Sequence, residues 1–230
     1  MNTVEEVIVE LNRQSNPKAL QTLAYFGVSG VNSLGLSVPQ MRKLAKQIGV
    51  NHALALKLWK TKIHEAQHIA TMIADRSLVT EKLMEQWLKD FNSWDLVDGA
   101  CSNVFRKTPL AYAKVKEWST RKKEFEKRAA YSLIAYLAVH DKKEADKPFE
   151  DFLDIIKRES SDERNFVKKA VNWALRQIGK RNVRLCKNAI KTAKEIYAKG
   201  DASSRWIATD ALRELEKYQK EGKIKSVGSK

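Results

Sequence analysis

The chain has 230 residues, and its 43 lysines and arginines against 28 aspartates and glutamates give a formal charge of +15, an excess that attracts polyanions, nucleic acid first. No apolar run approaches the roughly 20 residues that cross a bilayer, and the N-terminus lacks the pattern of a signal peptide. The two cysteines support neither a disulfide framework nor a thiolate metal site. We therefore expect no membrane role and a cytoplasmic location, associated with the nucleoid if the protein is bacterial.

Helical periodicity runs along the whole chain, and the sustained alternation that is typical of strands does not occur. Capping signals mark several helix starts: Ser37 begins a capping box with Gln40, Ser93 and Ser161 are candidate N-caps, and Pro148 suits a first turn. The predicted helices are 3–12, 17–28, 38–49, 51–60, 63–76, 80–90, 94–107, 109–118, 122–139, 147–158, 162–179, 183–198 and 203–219.

Similar short segments recur at 126–130, 166–170 and 204–208, with a weaker copy at 66–70. Their spacing is near the roughly 40 residues of a HEAT-type unit. We therefore predict an all-α, HEAT-like helical repeat solenoid with a basic concave face; an irregular helical bundle is the alternative. We expect one domain over 1–219 and a flexible basic tail over 220–230.

The predicted helix 63–76 contains His64 and His68 in the spacing H-E-x-x-H, which zinc peptidases use. The apolar stripe of this helix, which includes Ile69 and Ile73, predicts that both histidines point away from the core. No residue elsewhere in the chain is nominated as a third metal ligand. We therefore expect no bound metal and no peptidase activity.

The helix that follows Ser93 places Trp94 and Asp98 one turn apart, with Asp98 at the edge of the apolar stripe. A carboxylate beside an aromatic ring is partly desolvated there, which is unfavourable unless the group is used or paired. A structural carboxylate that caps a helix or pairs with a lysine is the alternative. Asp95 is expected to point further out and to suit such a cap.

Two later helices carry basic flanks. On the first, Arg128 and Ser132 share one flank, and an arginine beside a serine suits a phosphate. On the second, a stripe of three basic residues and one tryptophan suits phosphate contacts together with an apolar surface against a sugar or base. Ordinary solvated helix faces are the alternative in both cases. The stripe consists of Lys169, Trp173, Arg176 and Lys180.

Four segments stand in a specific order: LGLSVPQMRK at 34–43, SWDLVD at 93–98, KRAA at 127–130 and VKKAVNWALR at 167–176. Together they resemble the AlkD-type DNA alkylation-repair family, HEAT-like proteins that include DNA glycosylases. The second and fourth segments are the most specific pair.

The resemblance implies an enzyme that hydrolyses the N-glycosidic bond of cationic alkylated purines, 7-methylguanine and 3-methyladenine, in double-stranded DNA. It implies that Asp98 is the catalytic carboxylate, that Trp94 and Trp173 line the cleft, and that Arg128 and Arg176 face the DNA backbone. No cofactor is needed for this chemistry. The DNA-binding residues that we expect are Arg128, Arg176, Lys169 and Lys180.

Three other functions stay open at this point. The first is a non-catalytic DNA- or RNA-binding HEAT-repeat protein of the same family, the second a protein-binding helical scaffold, and the third a zinc peptidase. We expect a monomer whose partner is double-stranded DNA that carries alkylated bases.

Overall fold

The computed structural model describes residues 1–28 and 32–224. Within these ranges every regular element is a helix, and none of the helices is long and apolar enough to cross a membrane. The α-helices are α1 Val4–Arg13, α2 Pro17–Tyr25, α3 Val38–Ile48, α4 His52–Lys60, α5 His64–Ile73, α6 Glu81–Asp90, α7 Trp94–Asn103, α8 Ala111–Trp118, α9 Glu124–His140, α10 Lys147–Glu159, α11 Asn165–Gly179, α12 Val183–Tyr197 and α13 Ala202–Lys220.

The predicted helices all have a counterpart in the described ranges, and the differences lie at their ends. The helix predicted at 63–76 ends at Ile73 and the one predicted at 94–107 ends at Asn103, and each is followed by a 3-10 turn, Arg76–Leu78 and Phe105–Lys107. The capping box of Ser37 and Gln40 is confirmed. The N-cap predicted at Ser161 is wrong, because α11 begins only at Asn165 and the Ser161 hydroxyl donates to Asp201 instead.

The chain divides into two compact units, an N-terminal unit over Met1–Leu110 and a C-terminal unit over Ala111–Lys230. In the N-terminal unit α5 is the central helix, since it packs against α1, α3, α4 and α7. Every residue of α5 from His64 to Thr71 is therefore buried, on its polar side as well as its apolar side. The single domain predicted over 1–219 stays a prediction.

In the C-terminal unit α11 packs against α9 on one side and α13 on the other, and α10 and α12 pack against each other and against α11. The predicted repeat segments 126–130, 166–170 and 204–208 lie on α9, α11 and α13, so the repeated sequence corresponds to successive packed helices. Of the tail predicted at 220–230, residues 225–230 lie outside the described residues.

Candidate functional site

The helix α7 carries Trp94 and Asp98 one turn apart, so both side chains leave the same face of the helix. Both residues are half-buried, and for Asp98 this agrees with its predicted place at the edge of the apolar stripe. The indole Nε1 of Trp94 donates to the backbone carbonyl of Phe26 at 2.9 Å. This hydrogen bond restrains the orientation of the Trp94 side chain.

Asp95 lies beside Trp94 and does not have the exposed capping role that we expected. Its Oδ2 is 2.9 Å from His64 Nε2 and 3.3 Å from His68 Nε2. Burial raises the pKa of Asp95, but the two imidazoles lower it by more, so this pKa is held well below its usual range. Asp95 therefore connects α7 to α5.

The outward orientation predicted for His64 and His68 is wrong. Each histidine is only 3% exposed, because α7 covers the side of α5 that the apolar stripe left unassigned. The expectation that the chain supplies no third ligand is also wrong, since a nitrogen of each histidine and an oxygen of Asp95 lie within 4.8 Å of one another. This cluster is the group of residues that sequence reasoning missed, although the H-E-x-x-H spacing pointed to two of its three members.

Glu65, between the two histidines, is fully buried and faces away from them. Its Oε1 accepts hydrogen bonds from Ser33 Oγ at 2.7 Å, Gly35 N at 2.9 Å and Leu36 N at 3.2 Å, and its Oε2 accepts one from Leu34 N at 2.9 Å. A zinc peptidase needs this glutamate as the base beside the metal-bound water. Here its carboxylate anchors the segment before α3, which speaks against the peptidase.

In the C-terminal unit, the ring of Trp173 on α11 is nearly perpendicular to that of Tyr136 on α9, with ring centroids 5.0 Å apart. Trp173 is half-buried, so it lies at the border between the core and the basic stripe as predicted.

Arg128 lies deeper than the phosphate contact that we predicted. It is 6% exposed, and its Nη1 donates to the carbonyl of Phe166 at 2.7 Å, which ties α9 to the start of α11. Ser132 is buried as well. This flank is therefore not an ordinary solvated face, and the phosphate contact of Arg128 stays a prediction.

Arg176 and Lys180 both form ion pairs with Glu214 on α13, and Arg176 Nε lies 3.7 Å from Asp210. Lys180 also lies over the ring of Tyr218, 4.7 Å from its centroid. Burial raises the pKa of Glu214, but the hydrogen bonds from Lys180 and Arg176 lower it by more. Any phosphate that binds these two cations competes with an ionised carboxylate.

Lys169 is the remaining member of the predicted stripe. It is exposed, and it forms no ion pair within residues 1–28 and 32–224. Trp94 and Asp98 belong to the N-terminal unit, whereas Arg128 and the stripe belong to the C-terminal unit. The cleft predicted to hold both groups stays a prediction.

Comparisons with known proteins agree with this arrangement of helices. The model of a family described as DNA alkylation repair enzyme matches residues 7–215. A solved structure superimposes with a TM-score of 0.81, with 19% sequence identity and 97% of each chain covered. That protein is described as part of a new family related to the HEAT-like repeat DNA glycosylases with affinity for branched DNA structures. The comparison with curated proteins gave no match. The predicted all-α, HEAT-like fold is confirmed.

Proposed function

Because the chain belongs to the DNA alkylation repair enzyme family, we propose that it is a DNA glycosylase that releases cationic alkylated purines from double-stranded DNA. The observation that carries the proposal is the pair on α7, a half-buried carboxylate one turn from a tryptophan that donates a hydrogen bond to the Phe26 carbonyl. A negative charge and an electron-rich ring, both held on one helix, favour positive charge between them.

The chemistry follows from the charge of the substrate. A purine alkylated at a ring nitrogen is already cationic, so it leaves with the electron pair of the glycosidic bond and needs no general acid. The sugar becomes oxocarbenium-like as this bond breaks. The carboxylate of Asp98 stabilises that positive charge and orients the water that adds to C1′. The water loses a proton, and an abasic site and a neutral alkylated base are the products.

Trp94 and Trp173 would make the enzyme selective for charged lesions, because the face of an indole ring attracts a cation more than a neutral base. Lys169, which is exposed, provides a direct phosphate contact. Arg176 and Lys180 contribute when phosphates replace Glu214 as their partner. None of these contacts reads the base sequence, so we expect lesions to be recognised by charge.

The second candidate is a DNA-binding protein of the same family that excises nothing. Two observations favour it: the similar solved structure is described as having affinity for branched DNA structures, and the cations Arg176 and Lys180 are already paired with Glu214. This candidate predicts tighter binding to a branched DNA than to a linear duplex. It also predicts that no alkylated base is released.

One experiment separates the two candidates. A duplex with a single 7-methylguanine is incubated with excess protein, and abasic sites are detected by strand cleavage in alkali. The glycosylase proposal predicts cleavage at the lesion position that increases with time. The absence of cleavage, together with preferential binding to a four-way junction over a linear duplex of equal length, would establish the second candidate.

A further inference from the structure

The cluster formed by His64, His68 and Asp95 has no part in the proposed base excision, yet it brings together three groups that bind metals. The two histidines are four residues apart on α5 and Asp95 is in the first turn of α7. We propose that this cluster is a binding site for one divalent transition-metal ion of the zinc type.

The positions of the three donor atoms fit such an ion. Both histidines present Nε2, and both Nε2 atoms approach the same oxygen of Asp95, at 2.9 and 3.3 Å. Zinc binds histidine nitrogen and carboxylate oxygen at about 2.0–2.2 Å, which puts neighbouring ligands of a tetrahedral ion about 3.4 Å apart. The two separations from Asp95 lie close to this value, and all three donor atoms lie within 4.8 Å of one another, so small side-chain rotations would bring them to one ion.

The second observation is an unsatisfied nitrogen. His68 Nε2 is buried and has no aligned hydrogen-bond partner in the described part of the chain, although it is aimed at Asp95. Gly99 leaves room for this position, since a Cβ there would stand 3.1 Å from His68 Nδ1, a tight contact. A metal ion between the donors would accept the lone pair of His68 Nε2, with the ring proton on Nδ1.

The chemistry of the donors selects the kind of ion. Two imidazoles and one carboxylate suit zinc and its neighbours in the first transition series, whereas magnesium and calcium require oxygen ligands. The histidines are buried and Asp95 is largely covered, so little room is left for a substrate. Glu65 is bonded to residues 33–36 and cannot serve as a base. The ion would therefore act structurally, by joining α5 to the first turn of α7.

The test measures metal binding and needs no glycosylase activity. The full-length protein is freed of metal by dialysis against a chelator and titrated with zinc and with cobalt(II). We expect one ion per chain, a cobalt spectrum of a nitrogen- and oxygen-ligated ion, and a zinc-dependent rise of several degrees in the unfolding temperature. Asp95→Asn and His68→Gln should weaken zinc binding more than about 100-fold, beyond the effect of losing an outer-shell partner.

His52→Ala is the matched control, because His52 lies in the same unit at the start of α4, outside the cluster. It should bind zinc as the wild type does. Circular dichroism checks that each variant is folded before it is titrated. The proposal is overturned if the folded wild type binds no zinc, or if folded Asp95→Asn and His68→Gln bind it as tightly as the wild type.

Discussion

Glu65 anchors residues 33–36, and the number of hydrogen bonds that it accepts allows the loss of stability on its substitution to be calculated. Glu65→Gln keeps the shape of the side chain but replaces one carboxylate oxygen by an amide that donates. With the amide oxygen at the position of Oε1, the amide nitrogen faces the backbone N–H of Leu34, and two donors are left without an acceptor. The variant should therefore destabilise the N-terminal unit rather than abolish one chemical step.

The magnitude has two parts. A hydrogen bond to a charged group is worth about 1 kcal/mol more than a neutral one, and three such bonds to Oε1 become neutral. The Leu34 N–H and the amide N–H that faces it cost roughly a further 1 kcal/mol each, the low end of the range for a stranded donor, because this contact is only part-buried. After partial relaxation we expect a loss of about 4 kcal/mol in the free energy of unfolding.

Urea unfolding followed by circular dichroism measures this loss. Glu5→Gln is the matched control, since Glu5 is exposed on α1 in the same unit and its substitution should change stability by less than about 0.5 kcal/mol. If Glu65→Gln is as stable as the control, the carboxylate does not hold the segment before α3. Glu65 would then no longer be excluded as a base beside a metal-bound water.

Three further predictions concern charge and aromatic contacts. Arg176→Ala should weaken binding to any duplex and reduce the slope of log K against log salt by about 0.9. Glu214→Gln should strengthen binding, because it releases two cations. Filter binding or fluorescence anisotropy across a salt series measures both effects, and affinities equal to that of the wild type would contradict both expectations. Asp95 has a lowered pKa in the folded protein, so its stabilisation is complete above the unfolded pKa of about 3.9 and is lost as the pH falls below it. The stability difference between wild type and Asp95→Asn should accordingly shrink by about 1 kcal/mol between pH 5 and pH 3, and a constant difference in urea titrations would refute the pairing with the imidazoles. Trp173→Ala should slow excision of 7-methylguanine more than that of a neutral lesion, and equal slowing in single-turnover assays would remove Trp173 from lesion recognition.

The order and approximate bounds of the helices could be predicted from the sequence because helical periodicity and caps are local signals. The pair Trp94 and Asp98 could be found for the same reason, since a spacing of four places two residues on one face of any helix. The half-buried position of Asp98 also followed from its place at the edge of the apolar stripe.

The residues that were misjudged depend on contacts far along the chain. The apolar stripe of α5 correctly identified one buried face, but α7, about 30 residues later, buries the opposite face with His64 and His68. The cations of α11 looked solvated because their partner Glu214 lies 38 residues beyond Arg176. Neither long-range pairing leaves a periodic signal in one sequence.

The central claim, that Asp98 stabilises the breaking glycosidic bond, is tested most directly by the single-turnover rate at which Asp98→Asn releases 7-methylguanine from duplex DNA. The variant removes the negative charge and keeps the size of the side chain. We predict a rate about 100- to 1,000-fold below that of the wild type, equivalent to about 3–4 kcal/mol in the barrier. DNA affinity and the unfolding midpoint, measured on the same preparation, should be nearly unchanged. Full excision by the folded variant, or a loss of rate that only follows a loss of folded protein, would contradict the assignment.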